Sequence, residues 1–213
     1  MTESQWLALL AICLLGAMSP GPSLAVVVRH SLAGGHSSGI FCALAHGVGI
    51  YLWAMLMVSG LGVLMLAQPA WLNGIRIVGA AFLLYLGSRA LMGPGAPVPL
   101  SADTRPPGQH RGGQRRQAVV DGIVIALSNP KIAFFFAALF SQFVKPDAPV
   151  WEKHAIAMCA AVIDAAWYSL VSLVLSGSAW VARLHQHAAL VNQGFGVLLI
   201  ALAFSLVWHL AMS

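Results

Sequence analysis

The sequence predicts an all-α integral membrane protein, six transmembrane helices as two inverted three-helix repeats, and three observations lead there. Of the 213 residues, 59% are hydrophobic and 8% are charged; a water-soluble domain carries about 25% charged residues, and so few cannot clothe its surface. The apolar residues come in continuous runs close to the roughly 20 residues that a helix needs to cross the hydrocarbon, and they do not alternate as barrel strands do. A stretch rich in proline and arginine divides these runs three and three. Composition alone therefore excludes a cytosolic enzyme, a disulfide scaffold and a disordered chain.

The first run, Trp6–Val28, follows an acidic start without bases (Met1-Thr2-Glu3-Ser4-Gln5), and Pro20 stands where cleavage would be needed. It reads as a retained span rather than a signal peptide. The second, Gly39–Leu66, lies in a stretch between Arg29 and Arg76 that holds no charge, and Gln68-Pro69 separates it from the third, Trp71–Arg89. Gly39, Ala43 and Gly47, with Gly49 beyond, give the second span a smooth face for close helix approach. Residues 92–117 contain Pro94, Pro97, Pro99, Pro106 and Pro107 with four arginines, a flexible basic cytoplasmic linker between a first repeat (1–91) and a second (118–213). The second repeat holds Val119–Phe143, Ala155–Val181 and Ala188–Ala211. An odd number of spans per half forces the second half to enter the membrane with opposite polarity, the arithmetic of an inverted-repeat transporter. Trp6, Trp71, Trp151, Trp180 and Trp208 fall near span ends, as interfacial anchors do.

The bases set the orientation. With the N-terminus outside, the inner side holds Arg29, Arg89, Arg105, Arg111, Arg115, Arg116 and Arg183, the outer side only Arg76, Lys145 and Lys153. Seven against three gives both termini outside. The formal charge of +5 thus reports topology rather than a nucleic-acid footprint. Cys13, Cys42 and Cys159 lie inside apolar runs without metal-ligand or CxxC spacing, and His185 and His187 have no further ligands near them. No metal or cofactor is expected.

Two spans carry breakers at corresponding places. Ser19-Pro20-Gly21-Pro22-Ser23 lies inside the first span and Ser128-Asn129-Pro130-Lys131 inside the fourth. Proline removes a backbone donor and clashes with the preceding turn, so each should kink or unwind its helix and free backbone groups for a polar substrate. The alternative is a packing kink. Lys131 is near the centre of its span, and Asp164 lies about 15 Å into the fifth at 1.5 Å per residue. At similar depth they can face one cavity and pair, directly or through water, and an amino-acid zwitterion suits such a pair: carboxylate toward Lys131, ammonium toward Asp164. A structural salt bridge is the alternative. His46, in the second span, either relays protons or hydrogen-bonds across a helix interface. Asp164 and Asp121 are further relay candidates, Asp121 being otherwise a complement to the dipole of the fourth span.

At these same residues the chain resembles the lysine exporter superfamily, in its homoserine/threonine exporter branch (the LysE/RhtB family). The likeness rests on Met18-Ser19-Pro20-Gly21-Pro22, on Gly79-Ala80-Ala81-Phe82-Leu83-Leu84-Tyr85-Leu86-Gly87, and on Asn129-Pro130-Lys131 followed by Phe134-Phe135-Phe136 and Phe140-Ser141-Gln142-Phe143. Asp164 falls where related exporters also carry an acid, and the likeness runs through nearly the whole chain. It implies a bacterial inner-membrane permease that exports amino acids or close derivatives by proton antiport, with the Pro-Gly-Pro and Asn-Pro-Lys elements at the translocation site. The lysine- and arginine-exporting branch tends to carry an acid in the second span where this chain has His46, which favours neutral cargo of the homoserine, threonine or leucine type.

The expected partners are therefore a small amino acid, protons and the lipid bilayer, with self-association into a homo-oligomer also open. Two other classes were weighed. An intramembrane protease wants a Gly-x-Ser-x-Gly setting that Gly21-Pro22-Ser23-Leu24-Ala25 lacks, and a thiol relay wants cysteines at both breaks, where the second has Ser128. A non-catalytic assembly subunit or scramblase needs neither the midplane charges nor the matched breaks.

Overall fold

Proline follows the ends of the two helices that lead into the breaks. The computed structural model describes residues 1–67, 69–92, 111–143, 148–174, 190, 193–205 and 207–208, and every regular element among them is helical. The first, α1 (Glu3–Met18), starts on a capping box, with Gln5 N–H donating to Thr2 Oγ1 and Thr2 N–H to Gln5 Oε1. It stops at Ser19, whose extended backbone (ψ 124°) is the geometry that a following proline imposes. α2 (Pro22–Ala67) restarts with proline at its first position, where the missing N–H has no partner to lose. α3 spans Pro69–Met92, α4 Arg111–Ser128, α5 Pro130–Phe143, α6 Val150–Val174 and α7 Gln193–Ser205.

The expected loop between the first and second spans is replaced by a helix that turns on one residue. α2 runs through Val28 and bends at Gly35, whose φ of 75° and ψ of 172° belong to a region open only to glycine. The expected fourth span is α4 and α5, bent by 55° at Asn129. Asn129 caps α5 by accepting Lys131 N–H on Oδ1 at 3.0 Å, and Pro130 fills the next position. α4 already begins at Arg111, inside the stretch expected as linker. All five prolines of that stretch, together with Lys145, Trp180, Arg183, His185 and His187, lie outside the described residues.

Among the described residues, the Pro22–Gly60 part of α2 and α6 are each long and apolar enough to cross a bilayer, and α4 with α5 would make a third as one broken span. Leu7, Leu56, Val162 and Phe204 point outward, each more than half exposed, so apolar side chains coat the molecule as they do when lipid is the solvent. Inside, Leu9, Val58, Leu83, Phe140 and Leu199 belong to one core joining α1, α2, α3, α5 and α7, to which α6 adds Ile156. The small residues of the second span do pack helices: a methyl on Gly47 would lie 2.8 Å from Ala165 Cβ of α6, and one on Gly49 2.5 Å from Ala126 Cβ of α4.

Candidate functional site

Both helix breaks open onto one pocket, whose empty space is about 550 Å³ with its open mouth included. Ser19 and Gly21 come from the first break, Ser23 from the first turn of α2, and Asn129 and Lys131 from the second break. The breaks touch. Lys131 Nζ donates to Ser19 Oγ at 2.6 Å, and Asn129 Nδ2 donates to Ser23 Oγ at 3.2 Å. Ser19, Ser23 and Asn129 are all buried. Pro20, Pro22 and Pro130 do not line the pocket; they shape the backbone that does. Ser128 is exposed.

The far wall carries the acid. Asp164, buried on α6, lines the pocket together with His46 of α2, and His46 Nδ1 lies 2.6 Å from Asp164 Oδ2. Here the expected pairing is corrected: Lys131 and Asp164 share the pocket but form no ion pair with each other. Each has found a nearer partner. Lys131 is held by the Ser19 hydroxyl and by the face of Phe195, whose centroid is 4.5 Å from Nζ. His46 does make the hydrogen bond across a helix interface that was one of its two readings. A charge facing lipid at the centre of a span would cost about 2.5–3.5 kcal/mol on insertion; both charges instead face the pocket, where Ser19, Ser23, Asn129 and His46 stand among apolar side chains.

Asp121 is not part of this pocket. It sits between α2 and α4, accepting from Arg29 Nη2 at 2.5 Å and Gln117 Nε2 at 2.7 Å, with His30 Nε2 at 2.8 Å. Among the described residues no cluster of histidine, cysteine and carboxylate side chains has the makings of a metal site.

Several pocket residues escaped the sequence reading as contributors of their own. Tyr168 lines the pocket and meets the His46 ring edge-on at 5.1 Å. It stands four residues after Asp164, so it shares that helix face, a signal that was available. Phe195, Cys13 and Gly16 also line the pocket, and nothing in their residue types sets them apart from ordinary membrane-helix residues. Phe135 and Phe136, noted only within a matching segment, complete an aromatic flank. The arrangement has one cation, one carboxylate shared with an imidazole, several hydroxyl and amide groups, and aromatic faces. It can bind a small zwitterion, and it has no activated nucleophile among these groups.

Comparison with known proteins agrees with that chemistry. The model of the LysE type translocator family matches residues 14–209. A homoserine/homoserine lactone efflux protein of Salmonella typhimurium is 30% identical over 202 residues, covering 93% of each chain. A threonine efflux protein of Escherichia coli K12 is 25% identical over 168 residues, 78% of this chain and 80% of its own. A membrane protein of Haemophilus influenzae is 24% identical over 205 residues, 95% of this chain and 96% of its own. No solved structure matches.

Proposed function

The chain belongs to the LysE type translocator family, whose members are membrane transporters and not enzymes, and from that premise we propose that it exports neutral amino acids or close derivatives across the bacterial inner membrane in exchange for protons. One observation carries the reading: two interrupted helices, far apart in sequence, meet at a single pocket walled by Lys131 and Asp164. Free backbone groups and charges at matched breaks are what a membrane-embedded site for a polar solute requires. In this reading the cargo carboxylate lies toward Lys131 and its ammonium toward Asp164, while Phe135, Phe136 and Phe195 flank a short side chain. Relatives named for homoserine and threonine efflux point to hydroxylated neutral cargo, which Ser19, Ser23 and Asn129 suit as hydrogen-bonding partners.

The proposed architecture is six spans in two oppositely inserted triplets, both termini outside, with α1 and the start of α2 as one broken span and α4 with α5 as its counterpart. Rocking of one triplet against the other exposes the pocket to each side in turn. The buried pair of Asp164 and His46 is the proposed proton site, since it alone in the pocket joins an acid to an imidazole.

The test is counterflow in proteoliposomes. Labelled L-threonine and L-homoserine should exchange saturably, faster against an opposing pH gradient and not with basic amino acids. Purified folded protein that moves none of a panel of amino acids, or that moves lipid instead, overturns the proposal.

A further inference from the structure

Antiport requires that proton and cargo not occupy the pocket together, and the contact between α2 and α6 supplies a physical reason. His46 Nδ1 and Asp164 Oδ2 are 2.6 Å apart, with the residues 1% and 6% exposed. On the other side of the ring, His46 Nε2 is buried and has no hydrogen-bond partner among the described residues. A buried N–H left unpaired is more costly than a bare ring lone pair. The geometry therefore fits a neutral imidazole that donates Nδ1–H to Asp164 and keeps Nε2 bare. The pair then carries one negative charge, and the carboxylate retains capacity for a second donor.

We propose that His46 and the ammonium group of the cargo are mutually exclusive ionic partners of Asp164, so that a proton arriving at Nε2 releases the amino acid and its loss readmits one. With Nε2 protonated, the imidazolium neutralises Asp164 from within the protein. The ammonium then becomes a surplus cation in a pocket that already holds Lys131. No bond other than N–H changes: the proton enters at Nε2 from the side to which the pocket is open and leaves from Nε2 on the other. This deepens the transport reading and rests on it. Among the described residues, the other titratable side chains lining the pocket are Cys13 on α1, Lys131 on α5 and Tyr168 on α6, with Cys159 near Cys13 and Cys42 of α2 near Tyr168, while α7 brings Phe195.

The experiment is equilibrium binding of labelled L-threonine to the whole protein in lipid nanodiscs, at equal pH throughout, from pH 5 to pH 8. Mutual exclusion makes Kd weaken about tenfold for each unit of pH below the titration of the pair. Two comparisons identify the cause. The α-hydroxy acid analogue of threonine has no ammonium, so its affinity should change less than about twofold over the same range. In His46→Gln the slope for threonine should fall in the same way. A steep slope that survives in H46Q, or an analogue as pH-sensitive as threonine, overturns the inference; should H46Q not fold, the analogue on unaltered protein decides alone. Threonine binding that is flat with pH overturns this inference and leaves transport standing. Folded protein that binds no amino acid at any pH removes both.

Discussion

Two aspartates, Asp121 and Asp164, face α2 from the second half of the chain, and they are held in opposite ways. Asp121 lies at a partly exposed contact and is ringed by Arg29, His30 and Gln117. Its nearest partner, Arg29 Nη2, belongs to a guanidinium that does not lose its proton in proteins. Asp164 is buried in the wall of a pocket, and its one side-chain partner there is an imidazole, which can. A carboxylate tied to a permanent cation is a staple. A carboxylate tied to a titratable base inside a cavity can exchange that base for something else. Both were candidate relays in the sequence, and surroundings rather than residue type separate them.

The largest expected effect breaks this contrast at Asp164. Asp164→Asn should lower threonine counterflow at least about 100-fold, because losing one partner of a buried charge pair typically costs 3–5 kcal/mol, while protein still reaches the membrane. Export by the D164N variant within a few-fold of the unaltered chain would return Asp164 to the status of a staple. Next, Lys131→Gln should raise the KM for amino acids about 30-fold, as loss of a charge-assisted hydrogen bond of about 1.5–3 kcal/mol implies. A KM unchanged in that variant would mean that the cargo does not reach this side of the pocket.

A third variant sharpens the comparison without touching either acid. Gly47→Ala forces α6 away from α2 beside His46, since its new methyl would meet Ala165 Cβ at 2.8 Å. Overpacking of this kind costs about 1–3 kcal/mol, and the melting temperature should fall by several degrees with a roughly tenfold loss of transport. Gly60→Ala, where a methyl meets nothing within 4 Å, is the matched control. The smallest effect is expected at the staple: Asp121→Asn should change transport less than about threefold and stability by less than about 1 kcal/mol, in keeping with a partly exposed ion pair. A large loss there would dissolve the distinction.

The scarcity of charge made much of this legible in the sequence. In a chain with so few ionisable residues, Lys131 and Asp164 stand out from their spans, and the proline breaks announce themselves. The partner of Asp164 was not legible, because His46 is 118 positions away and a single sequence holds no signal for which side chains meet across that distance. Lys131 was paired with Asp164 on depth alone; depth can bring two groups to one pocket but does not say which nearer side chain each will hold. Phe195 was hidden for another reason, since a phenylalanine that cushions an ammonium looks like any other in an apolar run. The bend at Gly35 was not legible either: the sequence was read as one span ending at Val28 and the next starting at Gly39, whereas a single positive φ turns one continuous helix.

The glycine contacts also divide the molecule mechanically. Where α2 meets α4 and α6, main chains nearly touch, with Gly122 against the Cys42 carbonyl and Gly47 against that of Ala161. Surfaces meshed so closely have no soft padding on which to slide, and in the proposed rocking they act as the pivot between the two triplets. Padding exists where α5 meets its neighbours, through Phe134 against Phe82 and Phe135 against Phe195. Rings can swivel past one another within a rotamer change. Distance probes intended to catch the transport stroke therefore belong on α5, read out against α2 as the fixed rail.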